Sequence, residues 1–502
     1  MGLIKSQGLS NTIISYLGIG IGYINFLLLI PYAMLPEQIG VIRILQNSAA
    51  MLVPLAQLGT ISIITRYYHF QRDNETQNYS FLSFNFVIGL IGFIAISLAL
   101  IIFKPQIISL YEVNAPEITE YYNFVFVLIF FLLFFEIIEA IAANNFNTVF
   151  THVLKQLLLR ISITVFTVLF IFDLITFYTF ITLMVASYVL SFLILVFYMQ
   201  FNSTINISLR KFFTKTDFSA FSNKLVKEML LFGAYAILYA SGSALVNYVD
   251  TLMLGSMLGL EEVGIYSTVF YMAVVIEVPR RSIGRIANPL VAEAWKNNDL
   301  LKIEEMYKKV SINQLISGVF VLLLIWLNLD YLFELIPNGE IYATGKYVVL
   351  LIMLGKLVDM AASLNGEIIS YSEHYRFNIV SVLLLAALAV ITNLIFIPKY
   401  GINGAALATL ISITLFNLVR FIYVWKKFSM MPFSIQTIKV IIISVLIYVA
   451  FSFATLSIHP ILSILVISTS VSICFGLCIY FTKVSEDINS TIESIYKKVM
   501  IR

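Results

Sequence analysis

The chain has 502 residues, 60% hydrophobic and 12% charged, with a formal net charge of +3 and a mean hydropathy of +0.94. A soluble domain carries about a quarter charged residues, so a soluble enzyme or nucleic-acid-binding domain is excluded. A bilayer core of ~30 Å takes roughly 20 apolar residues per helix, because every backbone N–H and C=O must be satisfied inside the segment. The sequence supplies about fourteen such runs and reads as an all-α polytopic membrane protein.

In chain order the expected spans are 11–33, 40–64, 79–103, 122–146, 157–173, 175–201, 229–256, 263–290, 311–332, 344–371, 376–397, 402–425, 435–456 and 461–481. The cut at Asp173-Leu174 leaves almost no loop. Merging its two flanks would remove one span and reverse every later orientation.

Lys and Arg concentrate in cytoplasmic loops, so a correct set of spans places them in alternate loops. With the N-terminus inside, the cytoplasmic segments collect Lys5, Arg66, Arg72, Lys155, Arg210, Lys211, Lys215, Lys224, Lys227, Lys296, Lys302, Lys308, Lys309, Arg376, Lys426, Lys427, Lys483, Lys497, Lys498 and Arg502. The external segments hold Glu37, Glu112, Glu117, Glu120, Asp173, Glu261, Glu262, Asp330, Glu334 and Glu340, and little cation beyond Lys104, Lys346 and Lys399. This asymmetry puts both termini in the cytoplasm. The myristoylation-like start Met-Gly-Leu-Ile-Lys-Ser is rejected, since so many helices need no lipid anchor. The sequons at Asn74, Asn78, Asn202 and Asn206 fall on cytoplasmic loops, which argues against glycosylation. Cys474 and Cys478 stand one turn apart in the last span and form neither a disulfide framework nor a metal set. No metal or cofactor is expected.

The break after the first span reads Leu35-Pro36-Glu37-Gln38-Ile39-Gly40-Val41, and that after the seventh reads Gly259-Leu260-Glu261-Glu262-Val263-Gly264-Ile265. An even number of spans between copies gives a parallel repeat about an axis along the membrane normal. The expected layout is a six-helix lobe over 1–201, a linker over 202–228, a second six-helix lobe over 229–427, and a terminal helix pair with its tail over 428–502.

Pro31, the turn Pro36-Glu37-Gln38-Ile39-Gly40, Gln57-Leu58-Gly59 and Arg66 resemble the opening of the polysaccharide flippases. These belong to the multidrug/oligosaccharidyl-lipid/polysaccharide (MOP) exporter superfamily. Asp250-Thr251-Leu252-Met253-Leu254-Gly255 with Glu262-Val263-Gly264-Ile265-Tyr266 resembles the start of that family's second lobe. Asn393-Leu394 with Ile397-Pro398-Lys399-Tyr400-Gly401-Ile402-Asn403-Gly404-Ala405-Ala406 is similar to its signature between the eleventh and twelfth helices. The resemblance implies a Wzx-type flippase for undecaprenyl-diphosphate-linked oligosaccharides in the bacterial inner membrane. The expected partners are that lipid-linked substrate and membrane lipid, with a polysaccharide polymerase and chain-length proteins. The terminal pair is similar to the extra pair of the lipid II flippase, where it forms a groove for the lipid tail.

Ionisable residues deep in a span are costly and normally face protein or a water-filled cavity. The eighth span is richest, with Glu277, Pro279, Arg280, Arg281 and Arg285. A guanidinium fork matches phosphate oxygens, which suits a diphosphate headgroup. The competing reading pairs Glu277 with Arg281 along the helix and lets Arg285 snorkel to the interface. Lys356 lies roughly 15 Å into the tenth span at 1.5 Å per residue, with Asp359 three residues on to neutralise it. That pair is read either as a phosphate or proton site or as an inert ion pair. Glu367 is expected to be solvated and Arg420 to snorkel. Glu136 and Glu139 share a face of the fourth span as candidate coupling carboxylates, with Lys155 and Arg160 as ion-pairing partners. Arg43 and Asp250 stand near the outer ends of the second and seventh spans, corresponding helices if the repeat holds.

Three functions compete. A flippase would hold the diphosphate on cations while the polyprenyl tail stays in lipid, and no phosphate-binding Gly-x-x-x-x-Gly-Lys-Ser/Thr loop provides for ATP. A drug or cation antiporter of the same superfamily would favour an acidic cavity instead. A polysaccharide polymerase or lipid-dependent glycosyltransferase would need a large external loop or an acidic metal motif.

Overall fold

The computed structural model describes residues 2–71, 75–201, 217, 221–454, 456–490 and 493. Arg72, Asn74, Asn202, Asn206, Arg210, Lys211, Lys215, Lys497, Lys498 and Arg502 lie outside the described residues. Helix is the only regular structure among the described residues.

Among the described residues, twelve helices are long and apolar enough to cross a bilayer. They are α1 (Ser10–Ala33), α2 (Pro36–Ala56), α3 (Thr76–Ile102), α4 (Phe124–Asn144), α5 (Val149–Ile171), α6 (Phe177–Phe201), α7 (Asn223–Met257), α8 (Leu260–Lys296) and α9 (Leu300–Leu327), then Arg376–Phe428, Ile435–Ser452 and Pro460–Thr482. A bent pair, Lys346–Ala362 with Asn365–Tyr371, makes one more span, α10, with a 45° angle at its break. The 53-residue helix Arg376–Phe428 is two helices meeting at Gly401, whose φ of 59° and ψ of −136° are not helical. Its length at 1.5 Å per residue is also more than twice a bilayer core. It therefore comprises α11 (376–400) and α12 (402–428), and the last two helices are α13 (Ile435–Ser452) and α14 (Pro460–Thr482). The fourteen expected spans are all present.

The shortest predicted break is a genuine helix stop. Asp173 is left-handed (φ 55°), its N–H donates to the Phe170 carbonyl at 3.1 Å, and the Leu174 N–H reaches back to Leu169 at 3.0 Å. This paired 5→2 and 6→1 pattern is a Schellman motif, which satisfies the last carbonyls of α5 and turns the chain. Several boundaries differ from expectation. α5 starts at Val149 rather than 157 and passes through a π-helical turn at Leu154–Leu158. α8 runs to Lys296, with a 3-10 turn at Val274–Ile276 just before Glu277. α10 is broken at Ser363 (φ 51°, ψ −117°), a conformation costly for any residue bearing a Cβ.

The chain divides into two compact units, Met1–Gly264 and Ile265–Arg502. In the first, α2 packs on α4 and along α7, and α5 and α6 close against each other. α7 stands in this unit. In the second unit α9 is the central beam. The Glu277–Lys296 segment of α8 and the first half of α10 lie against it, and α13 and α14 pack on it as well. The shared apolar core includes Leu315, Val319 and Leu323 of α9, Val440 of α13, and Val471 and Ile479 of α14. Large apolar side chains such as Leu98, Phe197, Leu446 and Leu465 stand exposed, which suits a molecule whose solvent is hydrocarbon.

Candidate functional site

The second unit gathers most of its intramembrane charge where α8 faces α10. Glu277 opens the segment after the 3-10 turn, so it and Arg280, three residues on, share a face; Lys356 and Asp359 do the same on α10. Lys356 Nζ lies 2.5 Å from Glu277 Oε1, and Arg281 Nη2 donates to Glu277 Oε2 at 2.8 Å. Arg280 forms an ion pair with Asp359. The expected Lys356–Asp359 pair is therefore replaced: each residue finds its opposite charge on α8, because two i, i+3 pairs facing across a helix contact can exchange partners. The expected Glu277–Arg281 pair is present.

The cluster is half-buried and graded. Side-chain exposure is 14% for Glu277, 18% for Lys356, 20% for Asp359, 34% for Arg280 and 65% for Arg281. Three cations therefore pair with two carboxylates, Glu367 lies near enough to Arg280 to act on it as a third, and the most exposed groups are guanidinium. Arg285 is exposed one turn beyond Arg281. A fixed polar backing sits behind Asp359: Asn417 Nδ2 donates to it at 3.2 Å and Asn365 Nδ2 donates to Asn417 Oδ1 at 3.1 Å. Asn365 is placed by the break at Ser363, and Asn417 comes from α12. Sequence reasoning missed both, because it tracked ionisable groups alone. A buried amide in an apolar span is a usable signal, since it too must find partners.

Two other expectations in this unit are corrected. Arg420 does not snorkel: it is 9% exposed, Nε donates to Ser381 Oγ at 3.0 Å, and its guanidinium lies 4.1 Å from the Phe416 ring centre. A hydroxyl and an aromatic face within reach make burial the better arrangement. Glu367 is half-buried rather than solvated.

The first unit holds a separate cluster. Lys155, on the π-helical turn of α5, lies 2.9 Å from Glu139 and 3.8 Å from Glu136. Gln57, where α2 ends, donates to Glu136 at 2.5 Å. Arg160, the other expected partner, donates instead to the Gly18 carbonyl of α1. Glu136 lines a cavity of about 280 Å³ with Pro54, Ser243, Asn247 and Tyr248. Arg43 is buried at 9% exposure, 3.9 Å from the Phe26 ring centre, and Asp250 is buried at 8%. No group of three or more His, Cys, Asp or Glu that could hold a metal occurs among the described residues.

Residues 8–295, more than half the chain, match the family model described as polysaccharide biosynthesis protein. The chain belongs to the polysaccharide biosynthesis protein family. The motifs at Pro31–Arg66 and Asp250–Tyr266 lie inside the matched region, and the expected link to polysaccharide biosynthesis is borne out. The chain is 26% identical to the capsular polysaccharide biosynthesis protein CapF of Staphylococcus aureus over 180 residues, 36% of this chain and 45% of that protein. It is 23% identical over 190 residues to an uncharacterised membrane protein of Methanocaldococcus jannaschii, 38% of this chain and 37% of that one. The matched stretch spans less than half the length of either curated relative. In fold, it is similar to the lipid II flippase MurJ in an inward closed conformation, with a TM-score of 0.72 at 14% identity, covering 94% of this chain and 99% of that chain. An inward-facing MATE-family multidrug transporter of the MOP superfamily has a TM-score of 0.64 at 15% identity, covering 83% of this chain and 94% of that one.

Proposed function

We propose that this protein is a flippase that moves an undecaprenyl-diphosphate-linked oligosaccharide from the cytoplasmic to the outer leaflet of a bacterial inner membrane, with both its termini in the cytoplasm. The observation that carries the reading is the convergence of Lys356, Arg280 and Arg281 from two helices within the membrane, with the guanidinium of Arg281 the most exposed group of the set. A diphosphate is the ligand such a set fits: two planar guanidinium forks and an ammonium offer charge-assisted hydrogen bonds to its oxygens. Glu277 and Asp359 neutralise the cations while no substrate is bound, which lowers the cost of keeping them within the membrane. The diphosphate takes the place of those carboxylates, Arg285 adds positive charge on the same helix, and Arg43 of the first unit is a separate candidate for headgroup binding.

The oligosaccharide crosses by alternating access of two six-helix lobes, 1–201 and 229–427, without covalent chemistry. The prenyl tail stays in hydrocarbon. A cavity of about 240 Å³ between α9 and α14, lined by Phe320, Phe475 and Ile479, offers it an apolar wall. A polymerase and chain-length proteins would receive the flipped unit. Glu136, Glu139 and Asp250 are candidates for coupling or structural ion pairing. The test is export of surface polysaccharide by cells carrying Arg280→Gln, Arg281→Gln or Lys356→Gln, with the protein quantified in the membrane. Loss of export with normal insertion is expected, and full export in all three variants overturns the headgroup assignment.

A further inference from the structure

The two recurring turns meet each other. A Cβ built on Gly40 would lie 2.1 Å from the Leu260 carbonyl oxygen, and one built on Gly264 would lie 2.0 Å from the Pro36 carbonyl oxygen. Gly40 and Gly264 are equivalent positions of the repeated motif, and so are Pro36 and Leu260. Each glycine thus rests on the residue that opens the other copy, four positions before its glycine, and the contact is reciprocal. Real Cβ atoms essentially never approach within 3.0 Å of such atoms, so any other residue at either site would push the backbones apart by roughly 1 Å. Two side chains fasten the same region: Tyr111 Oη donates to the Leu252 carbonyl at 3.1 Å, and Asn114 Nδ2 to the Ser256 carbonyl at 2.9 Å. Both tie the last turns of α7 to the segment between α3 and α4.

We propose that these turns form a symmetric backbone clasp that closes the face read as external and must part whenever a path to that face opens. Neither glycine is required by its own backbone angles, since both sit in the first turns of regular helices, α2 and α8. What they supply is the absence of a side chain at a two-sided contact. The contact can break and re-form, because each glycine meets the other turn through backbone atoms and only the two side-chain hydrogen bonds beside it fasten the region. It also gives the repeat a physical purpose: one short motif, used twice, docks on itself.

Spin labels at Glu37→Cys and Glu261→Cys, both exposed and equivalent in the repeat, read the separation in full-length protein in vesicles, in a Cys474→Ser, Cys478→Ser background. A dominant short-distance population is expected with both glycines present. Gly40→Ala or Gly264→Ala should deplete it at least threefold, and the double variant should do no more than either alone, since one overlap already prevents closure. Gly284→Ala, where an added Cβ meets nothing within 4 Å, should leave it unchanged. Unaltered distances in the Gly40 and Gly264 variants overturn the proposal. Should those variants fail to insert, a reducible cross-linker across the labelled pair decides: export stops when the turns are tethered and returns with reductant, and undiminished export by tethered protein refutes the clasp. The distance measurement does not depend on the cargo, so it fails or succeeds apart from the substrate assignment.

Discussion

The Lys356–Glu277 pair permits a test that separates stability from transport. Both side chains are more than four-fifths buried and 2.5 Å apart, so removing one partner strands the other. Breaking a buried pair costs about 3–5 kcal/mol. Glu277→Gln should approach that figure, because it takes from Lys356 the carboxylate it holds. Lys356→Gln should cost less, about 1–3 kcal/mol, because Glu277 keeps Arg281 at 2.8 Å. The double variant leaves two neutral amides of matching size, and it should recover most of the loss. A double-mutant cycle from thermal melting in nanodiscs should therefore show a coupling of about 3–6 kcal/mol, the summed single losses less the small loss left in the double variant. Export should behave otherwise. The double variant lacks one of the three cations assigned to the diphosphate, so it should remain unable to export although it melts near the parent. If export returns in step with stability, the pair is structural and the role given to Lys356 is wrong.

Other outcomes follow from single contacts. Asp359→Asn frees Arg280 from its ion pair, so headgroup analogues such as farnesyl diphosphate should bind at least threefold tighter while turnover falls; unchanged affinity by calorimetry would count against competition between carboxylate and phosphate. Gly401→Ala forces a Cβ into the left-handed turn joining α11 and α12 and should cost about 1–2 kcal/mol, read as a lower melting temperature. Ile479→Ala empties part of the α9–α14 contact at a residue 1% exposed, and a loss of about 2–4 kcal/mol is expected in the same assay.

The fold was legible because hydrophobic run length and loop charge are bulk signals that no single side chain can hide. Even the doubtful cut at Asp173 could be placed, since a polar residue in left-handed backbone ends a helix whatever its neighbours do. The break at Ser363 was not legible, because it contains no Gly or Pro to announce it; the turn at Val274–Ile276 was announced by Pro279, which lacks the N–H that would bond the Val275 carbonyl four residues earlier. At the site, the identities of Glu277, Arg280, Arg281, Lys356 and Asp359 stood out as intramembrane charges. Their pairing did not, because spacing along one helix reports only local neighbours, and the true partners lie on the facing helix. Asn417, Asn365 and Gln57 were passed over for a related reason: an amide is tolerated in lipid more readily than a charge, and its signal is correspondingly faint.

The attachment of α13 and α14 to α9 has a consequence for how such a pair is acquired. In water, a helix stripped of two neighbours would expose an oily stripe and drive aggregation. In a bilayer, acyl chains wet that stripe almost as well as Val471 or Ile479 do, so the pair adheres by shape and by a few hydrogen bonds, such as Asn328 Nδ2 to Ser468 Oγ at 3.1 Å, rather than by the exclusion of water. An accessory of this kind can be gained, lost or restyled by a lineage with little penalty to the machine beneath it, and the cargo it touches can diversify on its own schedule.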